Sequence, residues 1–332
     1  NGVETINVTG ELVKSTFADI TGDKVKTITF AGDQNLSVTA PLTEKTLNAS
    51  ALTGNLAIEM GANAAHVVTG GSGDDTISSG TTLASTDTVA GGDGTDTLRI
   101  SNAGTVNKGT AAAKGELYNV SGIEVIDFES LAAAGKLDVS DTGITTAKLG
   151  SALLIDVDNA VNNTAITISI NGVDITSAAT DGSATADEAG VLLTAAINAN
   201  ANFIATGADV DGTGDGVLVR SATGKEILQV TTGIAGGSTI APAAYLAATV
   251  DKVTNEAVDI YAAGDVTVNL KDASGSEDSA TINLKTVALD KGANENIGTI
   301  TANNVETINM DVSGMTDGKT KTIAALTGNS VA

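Results

Sequence analysis

The chain has no cysteine and no tryptophan among its 332 residues, and it has only two prolines, one histidine, four phenylalanines and three tyrosines. Lack of cysteine excludes a disulfide framework, a zinc–thiolate centre and Cys–His catalysis. A Ser–His–Asp unit would depend on His66 alone, and His66 stands in a slot of a repeat where a turn role suits it better. Scarcity of aromatics argues against a sugar-processing groove, which relies on aromatic and basic side chains. No apolar run approaches the 18 residues of a membrane-spanning helix. No basic, apolar, small-residue leader opens the chain, and neither a P-loop nor a dinucleotide fingerprint occurs. The chain starts at Asn1-Gly2-Val3-Glu4 and stops at Gly328-Asn329-Ser330-Val331-Ala332, both inside repeated vocabulary, as expected of a fragment of a longer polypeptide.

Basic residues are also scarce. Seventeen Lys and Arg stand against forty Asp and Glu, a net charge of −23. Nucleic acid and anionic membrane, which need a basic surface, are disfavoured as partners, while divalent cations would relieve the self-repulsion. Hydrophobic residues make up 42%. With so few aromatics the apolar content is Ala, Val, Ile and Leu, which suits narrow cores between short strands.

What is present is repetition. The pattern G-G-x-G-x-D-x-U-x, with U a large aliphatic, occurs at residues 70 to 78 and 91 to 99. Its glycines allow a tight turn with carbonyls facing a cation, its Asp adds a carboxylate, and the aliphatic starts an inward-facing strand. Asp75 and Asp96 lie 21 positions apart, one 18-residue lap of two nonapeptides plus three residues. The half-lap elements Asp87-Thr88-Val89 and His66-Val67-Val68 each stand nine positions earlier. The Gly70 and Gly91 turns are therefore expected to stack on one edge. A calcium ion between them would meet the Asp75 and Asp96 carboxylates and the carbonyls of Gly71, Gly73, Gly92 and Gly94, with Asp74, Asp93 and Asp87 as further acidic ligands. Over about 35 residues this stretch resembles the RTX calcium-binding family.

Longer-range similarity runs along the chain. Val3-Glu4-Thr5-Ile6-Asn7 returns as Ile123-Glu124-Val125-Ile126-Asp127 and as Val305-Glu306-Thr307-Ile308-Asn309, and Ala51-Leu52-Thr53-Gly54-Asn55 returns at residues 325 to 329. Short aliphatic runs bounded by Gly, Asn, Asp and Ser, recurring near every 20 residues, predict stacked parallel strands. The expected fold is mainly β: a parallel β-solenoid, an RTX-like β-roll or β-helix, over residues 1–150 and again over 241–332.

Residues 151–240 break this vocabulary. Ile166 to Ile175 alternates around Asn171-Gly172, a hairpin signal, and residues 185 to 198 have helical spacing with Asp187 and Glu188 in the first turn. Strands are expected around Phe203, Val217–Val219 and Ile227–Val230, and a linker through Gly236, Gly237 and Pro242. Asp209-Val210-Asp211-Gly212-Thr213-Gly214-Asp215-Gly216 has the look of a calcium loop, but Arg220 occupies the place of an EF-hand's bidentate Glu, and a hairpin turn is the favoured reading. The order of strand, I-N-G-V-D-I, helix, A-I-N-A-N and strands resembles the IN module of flagellin and hook-associated proteins. That resemblance implies a small inserted α+β domain exposed on the surface.

An acidic, cysteine-free solenoid with RTX-like turns and such an insertion resembles the calcium-dependent S-layer proteins of Gram-negative bacteria. The resemblance implies a non-enzymatic structural protein, secreted by the type I route to the extracellular face. There it would assemble with copies of itself, and with cell-surface polysaccharide as a further partner, into a two-dimensional lattice. An RTX adhesin or biofilm-matrix protein is the alternative, and a solenoid polysaccharide-modifying enzyme a more distant one.

Overall fold

Alternation sets the strands. In Thr27–Gly32 the side chains of Ile28 and Phe30 are buried while Thr27 and Thr29 are half-buried, the period of two that a pleated strand imposes. β-Branched residues with glycine at the ends favour segments this short. The computed structural model describes residues 3–10, 15–20, 22–62, 65–80, 83–101, 105–130, 135–139, 142–149, 151–157, 160–200, 202–208, 216–221, 229–232, 239–242, 248–252, 257–260, 265–270, 279–284, 288–289, 296–303, 307–311 and 322–329. The chain is mainly β, with several parallel sheets in an arrangement consistent with a solenoid or roll.

A central sheet of ten strands, from Ser15–Phe17 to Thr307–Asp311, runs through the whole stack. Its neighbouring strands pair in parallel. In the first half the chain alternates between this sheet and a six-stranded first sheet, Thr5–Gly10 to Val120–Ser121. In the second half it alternates with a six-stranded third sheet, Thr105–Asn107 to Thr322–Asn329. The change of partner falls between Thr97–Ser101 and Val125–Ser130, where the third sheet gains its first strand and the first sheet its last. Buried Val106, Leu117 and Ile123 fill the core there.

Register places inward aliphatics one above another. Ile77, Leu98, Ile126, Ala147, Val258 and Ile282 form a continuous column along the central sheet. Thr146–Leu149 pairs directly with Ala257–Ile260, so the sheet continues across the intervening hundred or so residues as if they were absent.

Those intervening residues build a second hydrophobic cluster. Thr167–Ile170 and Val173–Thr176 form the expected hairpin, with Asn171 and Gly172 at φ 50° and 77° as a type I′ turn demands. The helix is Ala186–Asn198, its N-cap Thr185 accepting the Glu188 amide. Phe203–Ala208 and Gly216–Ser221 are antiparallel neighbours. Thr239–Pro242, read from sequence as linker, instead pairs with Leu153–Asp156 as an edge strand; its terminal position suits proline, which has no amide to donate. The acidic loop 209–215 and residues 227–228 lie outside the described residues.

The second cluster is seated on the central sheet. Arg99 forms an ion pair with Asp127 at 3.5 Å and donates from Nη1 to the Ser221 carbonyl at 3.0 Å, and Arg220 Nη2 donates to Glu59. Gln229–Thr232 also pairs with Ala288–Leu289, which follows the central strand Ser279–Leu284. No helix among the described residues is long and apolar enough to cross a membrane.

Leu98 is fully buried and Val191 is 67% exposed. Leu98→Ala is expected to cost about 3 kcal/mol and Val191→Ala less than about 0.5 kcal/mol. Urea denaturation monitored by circular dichroism measures both, and equal midpoints would contradict the core assignment.

Candidate metal centre

The corner between the first and central sheets is built from glycine. Gly92 adopts φ +115°, and a Cβ there would lie 2.0 Å from the Gly71 carbonyl oxygen. Gly94 adopts φ +114° against the Gly73 oxygen. The two turns expected to stack do so backbone on backbone, the Asp93 amide donating to the Gly71 carbonyl at 3.1 Å. A side chain at either position would push successive laps apart.

Carboxylates close the corner. Asp75 is buried; its Oδ1 accepts the Leu56 amide of the previous lap at 2.8 Å and its Oδ2 accepts the Gly71 amide of its own turn at 2.6 Å. One lap later, Asp96 Oδ1 accepts the Asp75 amide at 2.8 Å, and after that Glu124 Oε2 accepts the Asp96 amide at 2.9 Å. A second, outer column runs beside it: Asn35 accepts from the Asn55 amide, Asn55 from Asp74, and Asp74 from Thr95. Glu124, Asn35 and Asn55 are members that the sequence reading missed. The signal was there: Glu124 stands two positions before the inward Ile126, as Asp75 does before Ile77 and Asp96 before Leu98.

The site residues inferred from sequence thus separate into two corners. Asp74, Asp75, Asp93, Asp96 and the glycines 71, 73, 92 and 94 share one. Asp87 belongs to the other, where its Oδ1 accepts the His66 amide at 2.8 Å and its Oδ2 the Ala84 amide at 2.9 Å. His66 is fully buried there, its ring nitrogens 3.0 Å from the Glu44 carbonyl and 3.1 Å from that of Gly61.

Electrostatics single out Asp96. Burial, reinforced by the charges of Asp75, Glu124 and Asp74, pushes its pKa up to about 7 against the pull of the Asp75 amide. Burial also raises Asp75, opposed by the Gly71 and Leu56 amides. Asp96 Oδ2 is buried and has no hydrogen-bond partner. Among the described residues no three His, Asp or Glu side chains converge as a ligand set. The side-chain donors present are all hard oxygens, which fits calcium in kind, with Asp96 Oδ2 the one that accepts no hydrogen bond.

Two outcomes follow. Gly143 adopts φ +86° with open space around it, so Gly143→Ala is expected to cost about 1–2 kcal/mol from backbone strain alone. Gly92→Ala adds the collision with Gly71 and should cost at least twice as much in a thermal melt. A folded-state pKa above the unfolded value means that the cation-free fold binds a proton that the unfolded chain has lost. In EGTA, stability is therefore expected to fall as pH rises from about 4 to about 7 and to level off above, with a shallower fall in Asp96→Asn. Melting temperatures across that range measure it, and equal slopes in the two proteins would refute it.

No protein-family model, no curated protein and no solved structure matches the chain.

Proposed function

We propose that the chain is a non-enzymatic structural protein of a bacterial cell surface: a calcium-stabilised β-solenoid that assembles with copies of itself into an S-layer lattice after type I secretion. One observation carries the reading. Asp75, Asp96 and Glu124 form a column of carboxylates, and at its centre Asp96 Oδ2 is buried without a partner. Stacked acids repel one another, and a divalent cation at this corner converts the repulsion into attraction along the coil axis. The ligands in this reading are Asp75, Asp96 and carbonyls of the RTX-like turns, with Asp74 and Asp93 on the solvent side.

The same chemistry supplies a switch between compartments. With a dissociation constant near 10⁻⁴ M, roughly 1 mM calcium outside the cell stabilises the fold by about 1.4 kcal/mol per site, and micromolar calcium by almost nothing. The second hydrophobic cluster, from Leu153 to Val219, corresponds in this reading to an IN-like insertion. It docks against the central sheet through Arg220 and Ser221. His66, enclosed by two carbonyls, serves packing here and not catalysis.

Calcium is expected to raise the melting temperature by a few degrees over EGTA, and magnesium at the same concentration to do less. Asp75→Asn combined with Asp96→Asn should abolish the calcium increment. Identical melts with calcium and with EGTA would refute the reading.

A further inference from the structure

Charge is partitioned among the three parallel sheets. Strands of the central sheet carry Glu59, Arg99, Asp127, Lys148, Asp259 and Asp311. The six strands of the first sheet contain no Asp, Glu, Lys or Arg. Neither do the last three strands of the third sheet, Val266–Leu270, Asn296–Asn303 and Thr322–Asn329. In a chain of net charge −23, such faces are where two copies meet with the least repulsion.

Both faces present the same surface. On the first, Thr27 lies beside Thr46, and Thr29 beside Asn48, which lies beside Thr69. On the third, Thr267, Thr301 and Thr327 align, the last two hydroxyls 2.9 Å apart, and Asn303 donates to Asn269 at 2.8 Å. Hydroxyls and amides therefore repeat along each face at the inter-strand spacing of about 4.8 Å. These threonine and asparagine ranks hold none of the Trp, Tyr or Arg anchors that seat a partner in a pocket. The partner they fit is a surface with the same repeat, and each copy carries both surfaces on opposite halves of its stack.

We propose that the Thr/Asn face of the first sheet in one copy seats on the Thr/Asn face of the third sheet in the next, joining copies head to tail. This rests on the assembly reading above and names its contact. A heterologous contact of this kind builds open rows wherever its rotation does not close a ring. The smaller face, three strands by three residues, spans about 10 Å by about 10 Å, far below the roughly 800 Å² per partner of a stable complex. A single contact is therefore weak, and association of the free chain is expected at the upper, millimolar end of a concentration series.

Sedimentation velocity of the full chain in calcium, over a concentration series, tests this. Thr46→Asp with Asn48→Asp charges the first face, and Thr267→Asp with Thr301→Asp charges the third. Each pair is checked by circular dichroism, and the single variants Thr29→Asp and Thr327→Asp replace any pair that unfolds. The wild-type chain should form growing oligomers, and each variant should need about tenfold or more protein to reach the same degree of association. An equimolar mixture of the two variants should form dimers and nothing larger, since each retains one intact face. Variants that associate like the wild-type chain would overturn the face assignment while leaving assembly standing. Association lost in the variants but no dimer in the mixture would overturn the head-to-tail pairing. A wild-type chain that stays monomeric at every concentration would overturn the assembly reading and this contact together.

Discussion

In three successive laps a backbone amide at the corner where the chain passes from one sheet to the next is accepted by a side-chain oxygen of the following lap. Leu56, Asp75 and Asp96 donate in turn to Asp75, Asp96 and Glu124. A buried amide left unpaired costs on the order of the 1–3 kcal/mol of its desolvation, so an acid is held at these three levels, whereas the Leu36 amide one lap earlier donates to the Asn55 carbonyl. Acids held at successive levels must also stack on one another. The corner resolves the backbone problem by creating an electrostatic one, visible in the raised pKa of Asp96.

Glycine makes that geometry attainable. Direct contact of Gly92 with the Gly71 carbonyl brings the laps to hydrogen-bonding distance, and only a residue without Cβ permits it. The opposite corner meets the same requirement differently: Asp87 accepts the His66 amide, and the His66 ring fills the interior between two carbonyls. One corner is acidic and stacked tightly on glycine, and the other is plugged by an aromatic ring. The asymmetry follows from which residues precede the inward aliphatic on each face.

Charge placement separates covered surface from open surface. Arg99, Asp127 and Asp259 are buried on the central sheet, where Ser221 and Arg220 of the second cluster meet it. Buried ions need partners: Arg99 pairs with Asp127, Arg220 with Glu59, and Asp259 Oδ1 accepts from Asn283 Nδ2 at 2.6 Å. The strands of the first sheet carry half-buried threonine and asparagine instead.

Local features were legible without coordinates. The strands, the Asn171-Gly172 hairpin, the capped helix and the one-lap spacing of Asp75 and Asp96 all depend on residues a few positions apart or on a repeat of fixed length. Glu124 escaped because 28 positions separate it from Asp96, breaking the lap length. Arg220 and Glu59, 161 positions apart, carried no signal of their pairing. The sequence by itself determined where strands and glycine corners form, because dihedral preference and alternation act within a few residues. Only the tertiary structure decided that the central sheet exchanges one partner sheet for another near residue 105, that residue 149 meets residue 257, and that a second cluster covers the charged face. Those outcomes depend on which distant segments bury one another's surface, and no local pattern encodes that choice.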